Sequence, residues 1–136
     1  MSRYCLDTSA YSRFKAGDTR VADLVDAADW VGVPVTVLGE LWVGFLLGGR
    51  AERNAAELRE FLAHPLVEVV ETDADTARIF AEIVVGLRRA GRPVPTNDIW
   101  IAASAARTAA TVLTCDAHFR NIGRVGSIVV EPESKD

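Results

Sequence analysis

The chain has 136 residues, of which 49% are hydrophobic, and a formal net charge of −4. A chain of this length can bury one hydrophobic core, so we predict one domain over residues 1–132 and a frayed C-terminal tail over 133–136. No apolar run approaches the ~20 residues that a membrane-spanning helix needs, and no charged-then-apolar leader opens the sequence. These features argue against a membrane protein and favour a soluble, cytoplasmic one.

Short apolar runs alternate with segments of helical periodicity along the chain. The predicted strands cover residues 4–6, 30–35, 66–70, 111–114 and 127–130. The predicted helices cover residues 8–16, 21–28, 36–47, 51–62, 74–90 and 96–108. Thr36 and Asp73 are the predicted caps of two of these helices. Because the strands are apolar throughout, the pattern predicts an α/β fold, with a five-stranded parallel sheet flanked by helices on both faces.

Four acidic residues stand where an α/β fold brings side chains to one edge of its sheet. Asp7 follows the first predicted strand and Asp116 follows the fourth. Glu40 lies early in the helix after the second strand, and Asp98 lies at the start of the helix before the fourth. Ligands bind at this edge in open parallel sheets, where the strand order reverses.

A cation is the expected reason for such a cluster. Two carboxylates ~4 Å apart repel each other by about 4 kcal/mol at an effective dielectric constant of about 20. Taken singly, each acid could be a helix cap or a turn residue, but all four map to one edge. An oxygen-only ligand set favours Mg²⁺ or Mn²⁺ over zinc, and a phosphodiester is the expected substrate of such a site.

The segment around Glu40 is almost entirely apolar, which predicts a mostly buried helix over 36–47. A carboxylate inside such a helix requires compensation of its charge. The same segment supplies Leu38, Leu41, Trp42, Phe45 and Leu46, which either belong to the core or form a groove for a partner.

The acidic net charge requires a local basic rim if the substrate is a nucleic acid, since phosphate contacts supply much of the affinity. The candidate residues for this rim are Arg13, Lys15, Arg88, Arg89, Arg92, Arg120 and Arg124. The two cysteines, Cys5 and Cys115, are predicted to be reduced core thiols, because neither has a zinc-ligand partner at the usual spacing.

Four segments of the sequence resemble the PIN-domain ribonucleases, and most closely the VapC toxins of VapBC toxin–antitoxin pairs. They are LDTSA at 6–10, TVLGEL at 36–41, TNDIWIAA at 96–103 and LTCDAHF at 113–119. The resemblance implies a PIN fold and an endoribonuclease toxin that depends on Mg²⁺ or Mn²⁺. It also implies a VapB-type antitoxin that inhibits the toxin, a homodimer and a toxin–antitoxin hetero-oligomer.

The same resemblance assigns roles to individual residues. Asp7 and Asp98 would bind the metal directly, and Glu40 and Asp116 would do so directly or through water. Hydrogen bonds that orient these acids would come from Thr8, Ser9, Asn97 and Thr114. Many members carry a further acid where this chain has His118, which implies one tightly bound metal and a possible contact between His118 and a phosphate.

Other functions remain open from the residues alone. A receiver-like phosphoacceptor domain needs a lysine facing its aspartate, and neither Lys15 nor Lys135 follows a strand. A phosphatase with an aspartate nucleophile needs a second aspartate two residues later, where Ser9 stands. A non-catalytic or phosphate-binding interaction module of PIN-like or receiver-like fold is the third alternative, although four intact acids argue against it.

Overall fold

The computed structural model describes residues 2–131, so the predicted tail over 133–136 lies outside the described residues. Within them the strands form one parallel sheet of order β3-β2-β1-β4-β5. The strands are β1 (Arg3–Leu6), β2 (Trp30–Pro34), β3 (Val67–Val70), β4 (Thr111–Thr114) and β5 (Ser127–Val129). The order reverses between β1 and β4, where Leu6 lies opposite Leu113. The residues that follow these two strands therefore meet at one edge, as predicted.

Six α-helices and one 3₁₀-helix connect the described strands. They are α1 (Thr8–Lys15), α2 (Thr19–Asp26), α3 (Val35–Leu47), α4 (Ala51–Leu62), α5 (Ala74–Ala90), α6 (Thr96–Arg107) and the 3₁₀-helix Ala117–Asn121. Consecutive strand residues point to opposite faces of a sheet, and Cys5, Leu6, Val112 and Leu113 are all fully buried. Helices therefore cover both faces of the central strands, which confirms the predicted α/β class.

No helix in the described part of the chain combines the length and the apolar character that a bilayer span requires. Cys5 is buried and Cys115 half-buried, and both are free thiols.

Two features of α3 differ from the prediction. The helix begins at Val35 after an extended Pro34, so Thr36 lies in its first turn and is not its cap. The proline fixes its own φ and favours an extended residue at this junction. The expectation of a mostly buried α3 is also wrong, because only Val37 and Leu41 are buried. A helix in an outer layer buries one stripe, and the exposed fraction of Leu46 on the other side is 71%.

The 3₁₀-helix after β4 is an element that the sequence patterns did not predict. Asp116 caps it by accepting a hydrogen bond from the backbone N–H of His118 at 2.9 Å. This short turn fixes the direction in which both side chains leave the end of β4.

We predict that Gly32→Ala lowers the free energy of unfolding by roughly 1–3 kcal/mol. A Cβ at Gly32 would lie 2.4 Å from the Trp30 ring and 2.8 Å from Cγ2 of Val70. The ring has little freedom to move, since its Nε1 donates to Glu68 at 2.9 Å and Arg3 lies over its face. Urea denaturation measures the change.

Gly86→Ala is the matched control for this substitution. Gly86 lies inside α5, and a Cβ there would have no atom within 4 Å apart from its chain neighbours and the backbone of its own helix. Alanine should therefore raise the free energy of unfolding by up to about 1 kcal/mol through helix propensity alone. A Gly32→Ala protein as stable as the wild type would contradict the packing argument.

Candidate metal centre

Asp7 lies at the junction of β1 and α1, and its carboxylate is held from both sides. Its Oδ1 accepts hydrogen bonds from the backbone N–H of Ala10 at 2.8 Å and from the Ser9 hydroxyl at 2.7 Å. Its Oδ2 accepts from the Thr114 hydroxyl at the end of β4 at 2.5 Å. Each recorded partner is a donor, which favours the ionised carboxylate.

The hydroxyl groups of Ser9 and Thr114 each have one proton, and each donates it in a hydrogen bond to Asp7. This leaves the oxygens of Ser9 and Thr114 free to accept. The Ser9 oxygen accepts from the backbone N–H of Cys115 at 2.9 Å, and the Thr114 oxygen accepts from the backbone N–H of Asp116 at 2.9 Å. The ends of β1 and β4 are thereby tied together through side chains as well as through the sheet.

The environment of Asp7 affects its pKa in opposite directions. Burial raises the pKa of this carboxyl above its ordinary value, the hydrogen bonds from Thr114, Ala10 and Ser9 lower it, and the negative charge of Asp116 raises it further. The pKa is raised on balance. A neighbouring cation would favour the charged form that these hydrogen bonds already support.

Glu40 lies in α3 and reaches the same edge of the sheet as Asp7. The hydroxyl of Thr8, in the first turn of α1, donates a hydrogen bond of 2.8 Å to its Oε1. The side chain is only half-buried, so its second carboxylate oxygen does not need a protein donor. Thr8 therefore links the helix after β1 to the helix after β2.

Asp98 lies in the first turn of α6 and is half-buried. Burial raises its pKa to about 6, and the negative charges of Asp116, Asp7 and Glu40 raise it as well, while His118 acts in the opposite direction. The other three predicted acids thus all act electrostatically on Asp98. The structure brings together the residues that the sequence analysis assigned to one edge.

Asp116 and His118 lie beside Asp98. One possible ligand atom from each of these three residues lies within 4.8 Å of the other two. Nδ1 of His118 is 3.1 Å from Oδ1 of Asp116. The sequence analysis assigned His118 only a possible phosphate contact, whereas this geometry makes it a candidate metal ligand too. The turn that brings it there had no clear sequence signal.

Asn97 is the predicted orienting residue without such a contact. Its side chain is exposed, and no hydrogen bond to the four acids is found among the described residues. Its assigned role stays a prediction, whereas Thr8, Ser9 and Thr114 all contact acids.

The four acids fit a divalent cation because, within the described chain, only His118 opposes their negative charge. Across residues 2–131, no lysine or arginine lies within ion-pair distance of Asp7, Glu40, Asp98 or Asp116. Buried and half-buried carboxylates without a counter-charge are costly. Carboxylate oxygens in this number are the ligands that hard cations such as Mg²⁺ and Mn²⁺ prefer.

The predicted basic rim divides into two groups in the structure. Lys15, Arg120 and Arg124 form ion pairs with glutamates, at N···O distances of 3.9, 3.1 and 2.7 Å. The remaining candidates, which have no carboxylate partner among the described residues, are Arg13, Arg88, Arg89 and Arg92.

Comparison with known proteins identifies the family of this chain. A family model described as the PIN domain matches residues 4–125. The chain belongs to the PIN-domain family. Ribonuclease VapC5 of Mycobacterium tuberculosis is 34% identical over 125 residues, which cover 92% of this chain and 91% of that protein. Ribonuclease VapC4 of the same organism is 33% identical over 129 residues, which cover 94% and 97%.

Solved structures of this family show the same fold. VapBC-5 from Mycobacterium tuberculosis, a member of the VapBC family of toxin–antitoxin systems, superposes with a TM-score of 0.75 at 34% identity, covering 96% of this chain and 100% of that one. VapBC2 from Rickettsia felis, solved bound to a DNA fragment from its promoter, gives a TM-score of 0.81 at 23% identity, with coverages of 95% and 99%. These PIN-domain relatives support the predicted five-stranded architecture.

We predict that Asp98→Asn stabilises the metal-free protein at pH 7.5 and does so less at pH 4.5. The raised pKa means that the folded state binds a proton more tightly than the unfolded state does. Asp98 therefore does not reduce the free energy of unfolding at a pH below its ordinary pKa of 3.8. The reduction grows as the pH rises to about 6 and is complete above that pH.

Thermal unfolding in EDTA at the two pH values measures this difference. Asp23→Asn, at an exposed position in α2, is the control and should shift the melting temperature little at either pH. If Asp98→Asn raised the melting temperature equally at both pH values, the result would contradict the electrostatic origin of the effect.

Proposed function

We propose that this chain is a metal-dependent endoribonuclease and the toxin component of a type II toxin–antitoxin pair. The observation that carries the proposal is the convergence of Asp7, Glu40, Asp98 and Asp116 where the strand order reverses, with no described lysine or arginine to balance them. RNA is the proposed substrate because the relatives named ribonuclease VapC5 and VapC4 align over 92% and 94% of this chain.

The proposed cofactor is Mg²⁺ or Mn²⁺. Asp7 and Asp98 would hold the cation directly, and Glu40 and Asp116 would do so directly or through water. When bound, such a cation polarises a phosphoryl oxygen and lowers the pKa of a bound water. One tightly held ion is proposed, because His118 stands where a further acid is common in this family.

Hydrogen bonds from neighbouring hydroxyl groups hold the acids in position to bind a cation. The Ser9 and Thr114 hydroxyls fix both oxygens of Asp7, so the carboxylate loses little freedom when a cation arrives. Thr8 restricts Glu40 in the same way. Asn97 is proposed to orient the acids by hydrogen bonding, and the exposed His118 ring is proposed to contact a phosphate of the substrate.

A VapB-type antitoxin is the proposed protein partner, together with a homodimer and a toxin–antitoxin hetero-oligomer in the cytoplasm. The outer face of α3 supports a partner, because Trp42, Val43, Leu46 and Leu47 are 41%, 58%, 71% and 84% exposed. An exposed apolar patch of this kind is typical of an interaction surface. Solved VapBC relatives provide the precedent for such pairs.

We predict that Asp7→Asn and Asp98→Asn each lower the rate of RNA cleavage by roughly 100-fold or more, because an amide lacks the charge that holds the cation. Cleavage of a structured RNA in Mg²⁺ or Mn²⁺, analysed on a denaturing gel, measures the rate. EDTA should stop the wild-type reaction, and excess metal should restore it.

Asp23→Asn is the control for the acid variants and should keep the wild-type rate, since Asp23 is exposed and lies on α2. Circular dichroism establishes that each variant is folded. Cleavage that survives EDTA would refute the metal mechanism. RNA that is bound but not cleaved in either metal would instead favour the non-catalytic module.

We predict that Leu46→Glu weakens binding of the cognate antitoxin by roughly tenfold or more, because a charge would be buried on the apolar face of α3. Co-purification and calorimetric titration measure the loss. RNA cleavage by the free toxin should be unchanged. Val85→Glu, at a 44% exposed position on α5, is the control, and equal loss in both variants would contradict the assignment to α3.

A further inference from the structure

Three arginines lie close together at the end of α5 and in the loop after it. Arg88, Arg89 and Arg92 are exposed, and none has a carboxylate partner within residues 2–131. Other arginines are neutralised by acids; Arg124, for example, pairs with Glu82 at 2.7 Å. Three positive charges without an acidic partner therefore lie within five residues of one another in an acidic protein.

Arg88 and Arg92 line a cavity of about 480 Å³ between the last turns of α5, the following loop and the first turn of α6. Apolar side chains form much of its wall, namely Phe80, Val84, Val94 and Ile99. A cavity of this size lies within the range of small-molecule sites, about 300–1,000 Å³. Arg89, which follows Arg88 on the same helix, is not part of the lining.

The cavity is lined in part by the first turn of α6, the helix that carries Asp98. Thr96 and Ile99 line it, and they stand on either side of Asp98 in the first turn of α6. Arg92 also reaches the 3₁₀-helix that Asp116 caps, because its guanidinium lies 3.5 Å from Oδ1 of Asn121. The cavity thus involves the helix that carries Asp98, and one of its arginines reaches the 3₁₀-helix that Asp116 caps.

We propose that this cavity binds one nucleotide of the RNA beside the cleaved bond, an inference that rests on the proposed ribonuclease function. The apolar wall receives the base, and the guanidinium groups of Arg88 and Arg92 receive a phosphate. Bases of single-stranded RNA pack on apolar and aromatic side chains in this way.

A nucleotide fits this cavity better than a protein segment does. A strand of RNA that is held at the metal centre continues past it, and its next phosphate meets the unpaired guanidiniums. An apolar protein side chain would cover the wall but would leave both positive charges without a counter-charge.

Binding of a short, fluorescein-labelled single-stranded RNA tests the inference. Anisotropy is measured with Ca²⁺ in place of Mg²⁺, since Ca²⁺ also binds oxygen ligands, and a gel checks that the RNA stays intact. Arg88→Gln and Arg92→Gln should each weaken binding roughly tenfold. Each should also reduce the slope of log affinity against log salt concentration by about the amount that one phosphate contact contributes. Arg89→Gln is the matched control and should change the affinity less than about twofold.

The base contact has its own test, which leaves the protein unchanged. A single abasic nucleotide is moved along the RNA. At one position beside the cleaved bond it should weaken binding to the wild type, and the other positions should have little effect, because only one base enters the cavity. A uniform response along the RNA would refute a base pocket.

The outcomes separate this inference from the proposed function. If the wild type cleaves RNA but Arg88→Gln and Arg92→Gln bind it as Arg89→Gln does, the cavity is not a nucleotide site and the ribonuclease assignment stands. If the wild type binds RNA with the expected pattern but does not cleave it, the proposed function fails and the nucleotide site stands. If the wild type does not bind RNA, the inference is overturned. It is also overturned if sedimentation shows that the arginine variants change the oligomeric state of the protein and leave its affinity for RNA unchanged.

Discussion

The hydrogen bonding of the Asp7 carboxylate is the constraint on which the candidate site depends. The Thr114 hydroxyl donates to one oxygen from the end of β4, while Ser9 and the backbone of Ala10 donate to the other from the first turn of α1. The contact with Thr114 forms only if β1 and β4 are neighbours, which is where the parallel sheet reverses its order. Fold and site therefore share one junction, and a ligand site at such a junction is common in α/β sheets.

The same junction is electrostatically unfavourable without a ligand. Burial and the charges of three other acids raise the pKa of Asp98 to about 6, and burial raises that of Asp7 as well. A protein selected for stability alone would place arginines beside these groups, as it does beside Asp18 and Glu82. Retained repulsion among carboxylates is what a cation-binding site requires, because the cation then supplies the missing charge.

Positive charge is distributed as unevenly as negative charge. Many arginines form surface ion pairs, which contribute little to stability but remove charge from the surface. The group at the end of α5 escapes this neutralisation and stands beside an apolar cavity next to α6. The net charge of −4 therefore does not describe the local electrostatic potential that acts on a polyanion at this surface.

The sequence by itself determined the fold class, most element boundaries and the convergence of the four acids at one edge of the sheet. Apolar runs that end at Asp7 and Asp116 identify strands of a parallel sheet, and α5 begins and ends where Asp73 and Gly91 predict, because caps and periodicity are local properties. Only the tertiary structure decided the start of α3 after Pro34, the exposure of its outer face and the approach of His118 to Asp98 and Asp116. These features depend on which elements pack together, and contacts between residues distant along the chain leave no local pattern in it.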